Sequence, residues 1–152
     1  MRSSLTRTVA FRATHRFFKP GWSEPENRAR FGWTADAPGH SHDYTCAVKV
    51  SGTLDPETDM ILDLPLLDRI LADEVVGPLD GKHLNEAVPE FAYGRALPTC
   101  EALAHYLFDR IAARLPKGVT LELVRVAEDA TLHADCERDQ GSGVSGQGRS
   151  RP

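Results

Sequence analysis

The first regularity along the chain is alternation. Val9, Phe11 and Ala13 fall on one side and Ala10, Arg12 and Thr14 on the other, up to His15. A period of two predicts a half-buried strand over about Thr6–Phe18. A second alternating run, His40–Leu54, puts Tyr44, Cys46, Val48 and Val50 on the face shared by His40 and His42. Asp55-Pro56-Glu57-Thr58 is turn chemistry, after which Met60–Leu62 can return as the partner strand of a hairpin. The period then changes. Leu64, Leu67, Ile70, Leu71 and Val75 form the apolar stripe of a helix that Asp63 and Pro65 begin and Gly77-Pro78 stops. Leu79–Pro98 reads as loop. Thr99 caps a second helix with Leu103, Leu107, Ile111 and Leu115 inward, ended by Pro116-Lys117-Gly118. Val119–Val126 alternates again, and a short last strand is expected over Thr131–Cys136.

This order predicts an α+β fold, two helices laid over an antiparallel sheet, as one domain spanning residues 1–136. Lys19–Gly39, which holds Trp22, Asn27, Arg28 and Trp33, reads as a long irregular loop, and loops of that length are usually functional. From Glu137 the chain is Gly, Ser, Gln and Arg with almost nothing to bury, and disorder is expected over residues 137–152. One sheet with one helical layer leaves strand edges open, which favours oligomers.

Composition narrows the class. The 152 residues are 41% apolar and 26% charged, values of a soluble globular protein. A net charge of -4 argues against a nucleic-acid partner, there being no excess of cations to neutralise phosphates. No apolar run approaches the roughly 20 residues that span a bilayer. Cys46, Cys100 and Cys136 are an odd set without a Cys-x-x-Cys pair, which fits a reducing, cytoplasmic setting. Arg2, Arg7, Arg12 and Arg16 give the N-terminus the look of a transit peptide, but that segment alternates as a strand and carries His15.

The candidate chemistry lies in the histidines. Residues two apart on a strand share a face, so His40 and His42 offer two imidazoles to one point, and His15 on a neighbouring strand completes a triangle. Three neutral nitrogens suit Zn2+, and an open fourth position distinguishes a catalytic zinc from a structural one.

Phe11-Arg12-Ala13-Thr14-His15-Arg16, Gly39-His40-Ser41-His42-Asp43-Tyr44, Gly52-Thr53-Leu54-Asp55-Pro56-Glu57-Thr58, Met60-Ile61-Leu62-Asp63-Leu64, Pro78-Leu79-Asp80, Leu97-Pro98-Thr99-Cys100-Glu101 and a late Glu128 follow one another in this order. On these marks, over about Val9–Asp135, the chain resembles the 6-pyruvoyl-tetrahydropterin synthase family, which includes 6-carboxytetrahydropterin synthase. The resemblance implies a four-stranded antiparallel sheet with two helices on one side. It implies trimers stacked into hexamers, with the sheets joined into a barrel and the active sites between subunits. It implies His15, His40 and His42 as zinc ligands, and Glu128 as holder of the pterin's guanidine-like edge. Thr99, Cys100 and Glu101 would frame the ring, and Asp80 would belong to the proton-transfer machinery.

Two family positions are changed here. Where the family's base is a Cys, this chain has Thr34, and where a His follows the aspartate, it has Gly81. A thiol reaches its thiolate near neutral pH, whereas a threonine hydroxyl is no base without a strong partner. Losing a general base commonly costs a factor of about 10^2 to 10^4. His83, two residues past Gly81, is the candidate to restore a pair with Asp80, against its being a solvent-facing loop residue. Cys100, at a helix start where the dipole lowers a thiol's pKa, is either reactive or a small residue near a cap. Cys46 reads as core, His105 as a surface or interface side chain, and His133 is unassigned. The expected function is a zinc-dependent lyase-type enzyme acting on a pterin or related hydroxy-carbonyl compound by elimination, tautomerisation, retro-aldol cleavage or cyclisation. The alternatives are a standard pterin synthase in which another side chain takes the thiol's role, and a non-catalytic, zinc-containing protein that binds a pterin-like ligand.

Overall fold

Two thirteen-residue strands set the frame. In the computed structural model, which describes residues 1–139, β1 (Ser3–His15) and β2 (His40–Gly52) pair antiparallel without a break, from Ser3 opposite Gly52 to His15 opposite His40. The alternation read from the sequence sets the faces: Phe11, Ala13 and His15 of β1 and Tyr44, Cys46, Val48 and Val50 of β2 are buried together. Phe11 and Tyr44 stand opposite each other with rings stacked at 4.9 Å, a contact worth about 0.5–1.5 kcal/mol beyond the area it buries. β4 (Thr120–Ala127) pairs with the other side of β2, and β5 (His133–Glu137) pairs with β4, both antiparallel.

The four antiparallel strands are joined by a fifth, very short one. β3 (Lys82–His83) runs parallel to the outer side of β1, which makes the sheet mixed, in the order β3-β1-β2-β4-β5. Backbone bonds to Arg12 explain it. The Asp80 carboxylate accepts the Arg12 N–H at 2.9 Å, and the Gly81 N–H donates to the Arg12 carbonyl at 2.7 Å. Gly81 has φ +72°, a left-handed turn that a bulkier residue resists. Asn85 continues the docking, accepting the Arg16 N–H at 2.8 Å and donating to the Arg16 carbonyl at 3.1 Å.

The helices cover the buried face. α2 (Leu64–Leu71) buries Leu67, Ile70 and Leu71, but Leu64, expected in the stripe, is exposed in its first turn. The helix is not stopped by Gly77-Pro78: it passes through a π turn (Ala72–Val76) into α3 (Gly77–Leu79). Proline has no N–H and crowds the preceding turn. The wider π turn directly before Pro78 changes the hydrogen-bonding register where that happens, with the Gly77 N–H bonded to the Ala72 carbonyl. α4 (Leu84–Ala87) follows β3. α5 (Cys100–Ala112) is capped as expected, Thr99 Oγ1 accepting the Ala102 N–H at 3.1 Å, and it buries Leu103, Ala104, Leu107 and Ile111 against β4 and β5.

Other expectations are corrected. Met60–Leu62 is not a strand. β2 already has a neighbour on each side, and the Asp55 N–H closes the turn onto the Met60 carbonyl at 2.9 Å. Lys19–Gly39 is not irregular throughout: it holds α1 (Glu24–Phe31) and a 3-10 turn (Gly32–Ala35). Ser23 and Glu26 form a capping box in which Ser23 Oγ accepts the Glu26 N–H and donates to the Glu26 carboxylate. Asn27 is buried and accepts the Lys19 N–H, while its amide donates to the Lys19 and Ser23 carbonyls. Leu79–Pro98, read as loop, contains β3, α4 and a 3-10 turn at Pro89–Phe91. Of the tail expected to be disordered, Glu137 ends β5 and the Arg138 N–H donates to the Glu122 carbonyl, while residues 140–152 lie outside the described residues. Among the described residues, no helix is long and apolar enough to cross a membrane.

Gly39 admits the chain into β2. Its φ is +118°, and a Cβ there would stand 2.5 Å from the His15 carbonyl oxygen. Replacing Gly39 with Ala is therefore expected to destabilise the fold by at least ~2 kcal/mol and to disturb the His15–His40 pairing. Urea unfolding checks the energy, and an unchanged midpoint would show that this close approach does not matter.

Candidate metal centre

The β1–β2 register builds a cluster of imidazoles. His15 ends β1 fully buried, His40 starts β2 directly opposite, and His42 stands opposite Ala13 on the same face. One nitrogen from each of the three lies within 4.8 Å of the others, and His15 Nε2 is 2.9 Å from His40 Nε2. Gly39, by admitting the close turn, brings the second and third imidazoles to the first.

The surroundings select the protonation state. His15 Nδ1–H donates to the Pro98 carbonyl at 2.8 Å, which leaves Nε2 as the bare nitrogen facing the cluster. Tyr44 Oη lies 3.0 Å from the same Nδ1. Burial above all, with smaller contributions from the neighbouring His40 and His42, brings the His15 pKa down to about 4 against the opposing effect of the Pro98 bond. Burial, then His42, also lowers the pKa of His40. Both shifts favour the neutral imidazole at His15 and His40, the form that binds a metal. Among the described residues, the buried side-chain nitrogens and oxygens without a hydrogen-bond partner are His40 Nδ1, His42 Nε2 and His83 Nδ1. Two of these three belong to the trio. An unpaired buried nitrogen is costly, and a cation held by the trio would remove that cost for His42 Nε2. The donor set and burial fit zinc.

Glu128 stands against the trio. It follows β4, and its turn is held by Asp129, whose Oδ1 accepts the Thr131 and Leu132 N–H groups. Glu128 Oε2 is 3.6 Å from His42 Nε2 and 4.0 Å from His15 Nε2. Cys100 Sγ is 3.8 Å from the same oxygen. Cys100 is not activated by its helix start. Burial, and then the charge of Glu128, push its pKa up to about 12, so the thiol is a donor rather than a nucleophile. Burial likewise pushes the Cys46 pKa up to about 12, in keeping with its place in the core.

The remaining candidates are more scattered. Thr34 lies in the 3-10 turn and its hydroxyl donates to the Phe31 carbonyl, while its own carbonyl accepts the Phe17 N–H. Asp80 is engaged with the Arg12 backbone and His83 Nε2–H donates to the Pro38 carbonyl at 2.7 Å, so the two are not hydrogen-bonded to each other. Thr99 caps α5, and Glu101 is exposed in its first turn. His105 Nδ1 lies 3.5 Å from Cys136 Sγ, and His133 is exposed on β5. The supporting Pro98 carbonyl, Tyr44 hydroxyl and Asn85 amide carried no functional signal in sequence, since any residue offers a carbonyl and Tyr44 reads as core. Trp33, 63% exposed, lies with its ring 4.6 Å from that of His40, so the rim of the cluster is aromatic.

Residues 4–139 match the family model of 6-pyruvoyl tetrahydropterin synthase. Human 6-pyruvoyl tetrahydrobiopterin synthase is 36% identical over 126 residues, which cover 83% of this chain and 85% of that protein. The Drosophila melanogaster protein of the same name is 36% identical over 124 residues, covering 82% of this chain and 73% of that protein. The structure of Caenorhabditis elegans 6-pyruvoyl tetrahydropterin synthase superposes with a TM-score of 0.82 at 26% identity, over 91% of this chain and 97% of that one. With a mixed sheet and helical layer that superpose on a solved relative, and a match reaching from β1 past β5, the chain belongs to the 6-pyruvoyl tetrahydropterin synthase family.

Proposed function

We propose that the protein is a zinc-dependent, lyase-type enzyme that acts on a pterin or a closely related hydroxy-carbonyl compound. The observation that carries the reading is the convergence of three imidazoles, one buried and two half-buried, beside one carboxylate. His15, His40 and His42 would hold the ion. Bound there, zinc acts as a Lewis acid that polarises a hydroxyl or carbonyl oxygen and acidifies the adjoining C–H.

The pterin assignment draws on the family and on the Thr99–Glu101 segment. The guanidine-like edge of a pterin is at the far end of the bicycle from its side chain. With the side chain at the imidazoles, that edge points away from Glu128, whose carboxylate sits among them. Glu101, exposed in the first turn of α5, is therefore assigned to the edge in place of Glu128. Trp33 offers a flat apolar face at the rim.

Proton transfer falls to His83. Its Nε2–H is committed to the Pro38 carbonyl, which leaves a lone pair on Nδ1, and that nitrogen is buried without a partner. In the sheet His83 pairs with Thr14, the residue before His15. Asp80 acts as a positioning residue, tying the segment to Arg12. Thr34 occupies the family's thiol position with its hydroxyl proton already given to Phe31. Elimination, tautomerisation, retro-aldol cleavage and cyclisation all need one such base beside a polarised oxygen. The loss of the thiol equally supports the non-catalytic reading, a zinc-containing protein that holds a pterin-like ligand. Neighbouring copies would complete the site in a trimer or hexamer.

Elemental analysis of protein purified without added metal is expected to give close to one zinc per chain, and His42→Ala to lose it. Full folding with no bound transition metal would end the metal reading. Dihydroneopterin triphosphate and other pterins with hydroxylated side chains are the substrates to screen. Glu101→Gln is expected to raise KM about tenfold or more with zinc retained, from loss of a charged hydrogen bond. His83→Ala is expected to lower kcat by a factor of about 10^2 to 10^4 with zinc retained. No turnover of any pterin, with tight pterin binding, would favour the non-catalytic reading.

A further inference from the structure

With the trio taken as a metal site, as proposed above, Glu128 acquires a role closer to the ion than substrate contact. Donors bound to one tetrahedral zinc at about 2.0–2.1 Å stand roughly 3.4 Å from one another. Glu128 Oε2 stands 3.6 Å from His42 Nε2 and 4.0 Å from His15 Nε2, spacings close to the edge of such a tetrahedron. His42 Nε2 is buried and has no hydrogen-bond partner, although this carboxylate is its neighbour.

Charge balance points the same way. The Glu128 side chain is largely buried, and among the described residues no Lys or Arg pairs with it. Its neighbours are two imidazoles and a thiol. A buried carboxylate without a cation is unfavourable, and so is a divalent cation held by neutral nitrogens alone. Each would relieve the other. The carboxylate is also aimed from behind: Cys100 Sγ lies 3.8 Å from Oε2, and the Asp129 turn holds the backbone at the start of β5. A thiol that stays protonated donates to that oxygen without competing for the metal.

We propose that Glu128 Oε2 is the fourth ligand of the resting metal, so that the ion sits in a shell of three imidazoles and one carboxylate. The fourth position, expected from the sequence to be open, is then filled until an incoming oxygen donor displaces the carboxylate. Cys100 is a positioning residue for that ligand.

Metal affinity and the spectrum of the cobalt-substituted protein test this without reference to turnover. Zinc affinity is measured by chelator competition on wild type, Glu128→Gln and Glu128→Ala, with Gln as the near-isosteric variant should Ala fold poorly. Both variants are expected to bind zinc about 10- to 100-fold more weakly than wild type. The Co2+ form of the wild type is expected to resist azide, whereas the Co2+ form of Glu128→Ala takes up azide with a shift of its visible bands. Cys100→Ala is expected to weaken zinc by a smaller factor in the same direction. Zinc bound equally tightly by wild type and both Glu128 variants, with azide shifting the wild-type Co2+ bands as readily as those of Glu128→Ala, would overturn the fourth ligand while leaving the histidine site intact. A wild type that binds neither Zn2+ nor Co2+ would instead remove the metal reading itself.

Discussion

The site depends on the register between β1 and β2. Thirteen consecutive pairs fix His15 opposite His40 and His42 opposite Ala13, and the alternating pleat puts all three imidazoles on one face. A slip of one residue would send Tyr44, Cys46, Val48 and Val50 toward solvent together with the histidines, because the side-chain period is two. The burial of those core residues and the positioning of the three imidazoles are thus one interaction. The stacked Phe11–Tyr44 pair lies next along the strands, and Tyr44 reaches back to His15 Nδ1 through its hydroxyl. The core therefore extends into the support of the cluster, which makes His15 the most constrained of the three imidazoles.

The legible part of this arrangement was the local part. Alternation located β1, β2 and β4, and the spacing of His40 and His42 placed them on one face because strand geometry leaves no other choice. The Thr99 cap and the stripe of α5 were equally readable. The failures involve distant partners or overlooked caps. Met60–Leu62 could not be strand because both sides of β2 were taken, a fact of the whole sheet. β3 exists because Asp80 and Gly81 bond to Arg12, nearly seventy positions away. The helix α1 was legible in principle, since Ser23 and Glu26 have the spacing of a capping box, but Trp, Gly and Pro nearby hid it. Residues 4–139 match the family model, so the resemblance drawn from the motifs was sound. Within the site, Cys100 was readable either as a thiol activated by a helix dipole or as a small residue near a cap. Burial and the Glu128 carboxylate outweigh the dipole, and neither is visible until β4 and α5 are brought side by side.

Keeping the imidazoles while changing the acid-base groups makes chemical sense, because the two sets are held by different parts of the fold. The imidazoles belong to the central strand pair and its core, where any change costs stability. Thr34 belongs to a surface 3-10 turn, and Gly81 to the short docking segment outside β1. Such connections tolerate substitution far better than paired strands do. A chain can therefore alter how protons move without disturbing how a metal is held. The Thr34 hydroxyl donates to the Phe31 carbonyl and so stabilises the turn.

The altered groups also constrain the kind of reaction that remains. With Thr34 where the resemblance implies a thiol, imidazole and carboxylate would be the available proton acceptors. His83 differs from a histidine placed directly after Asp80, because its tautomer is set by a backbone carbonyl and not by a carboxylate. A carbonyl holds the ring in place without stabilising an imidazolium as an aspartate would, so in the proposed role His83 would suit a modest proton transfer at an already acidified centre better than the removal of a weakly acidic proton. In that case the burden of activation would move from the base to a metal held by the trio and whatever controls access to it. A site with a weaker base needs a more effective Lewis acid, and a neutral three-imidazole shell gives one, because ligands without charge leave the ion's own charge available to the substrate oxygen. A carboxylate beside that shell works in the opposite sense. With an ion held by the trio, Glu128 at 3.6 Å from His42 Nε2 would offset part of its charge, and a substrate oxygen taking the carboxylate's place would receive the full polarising power.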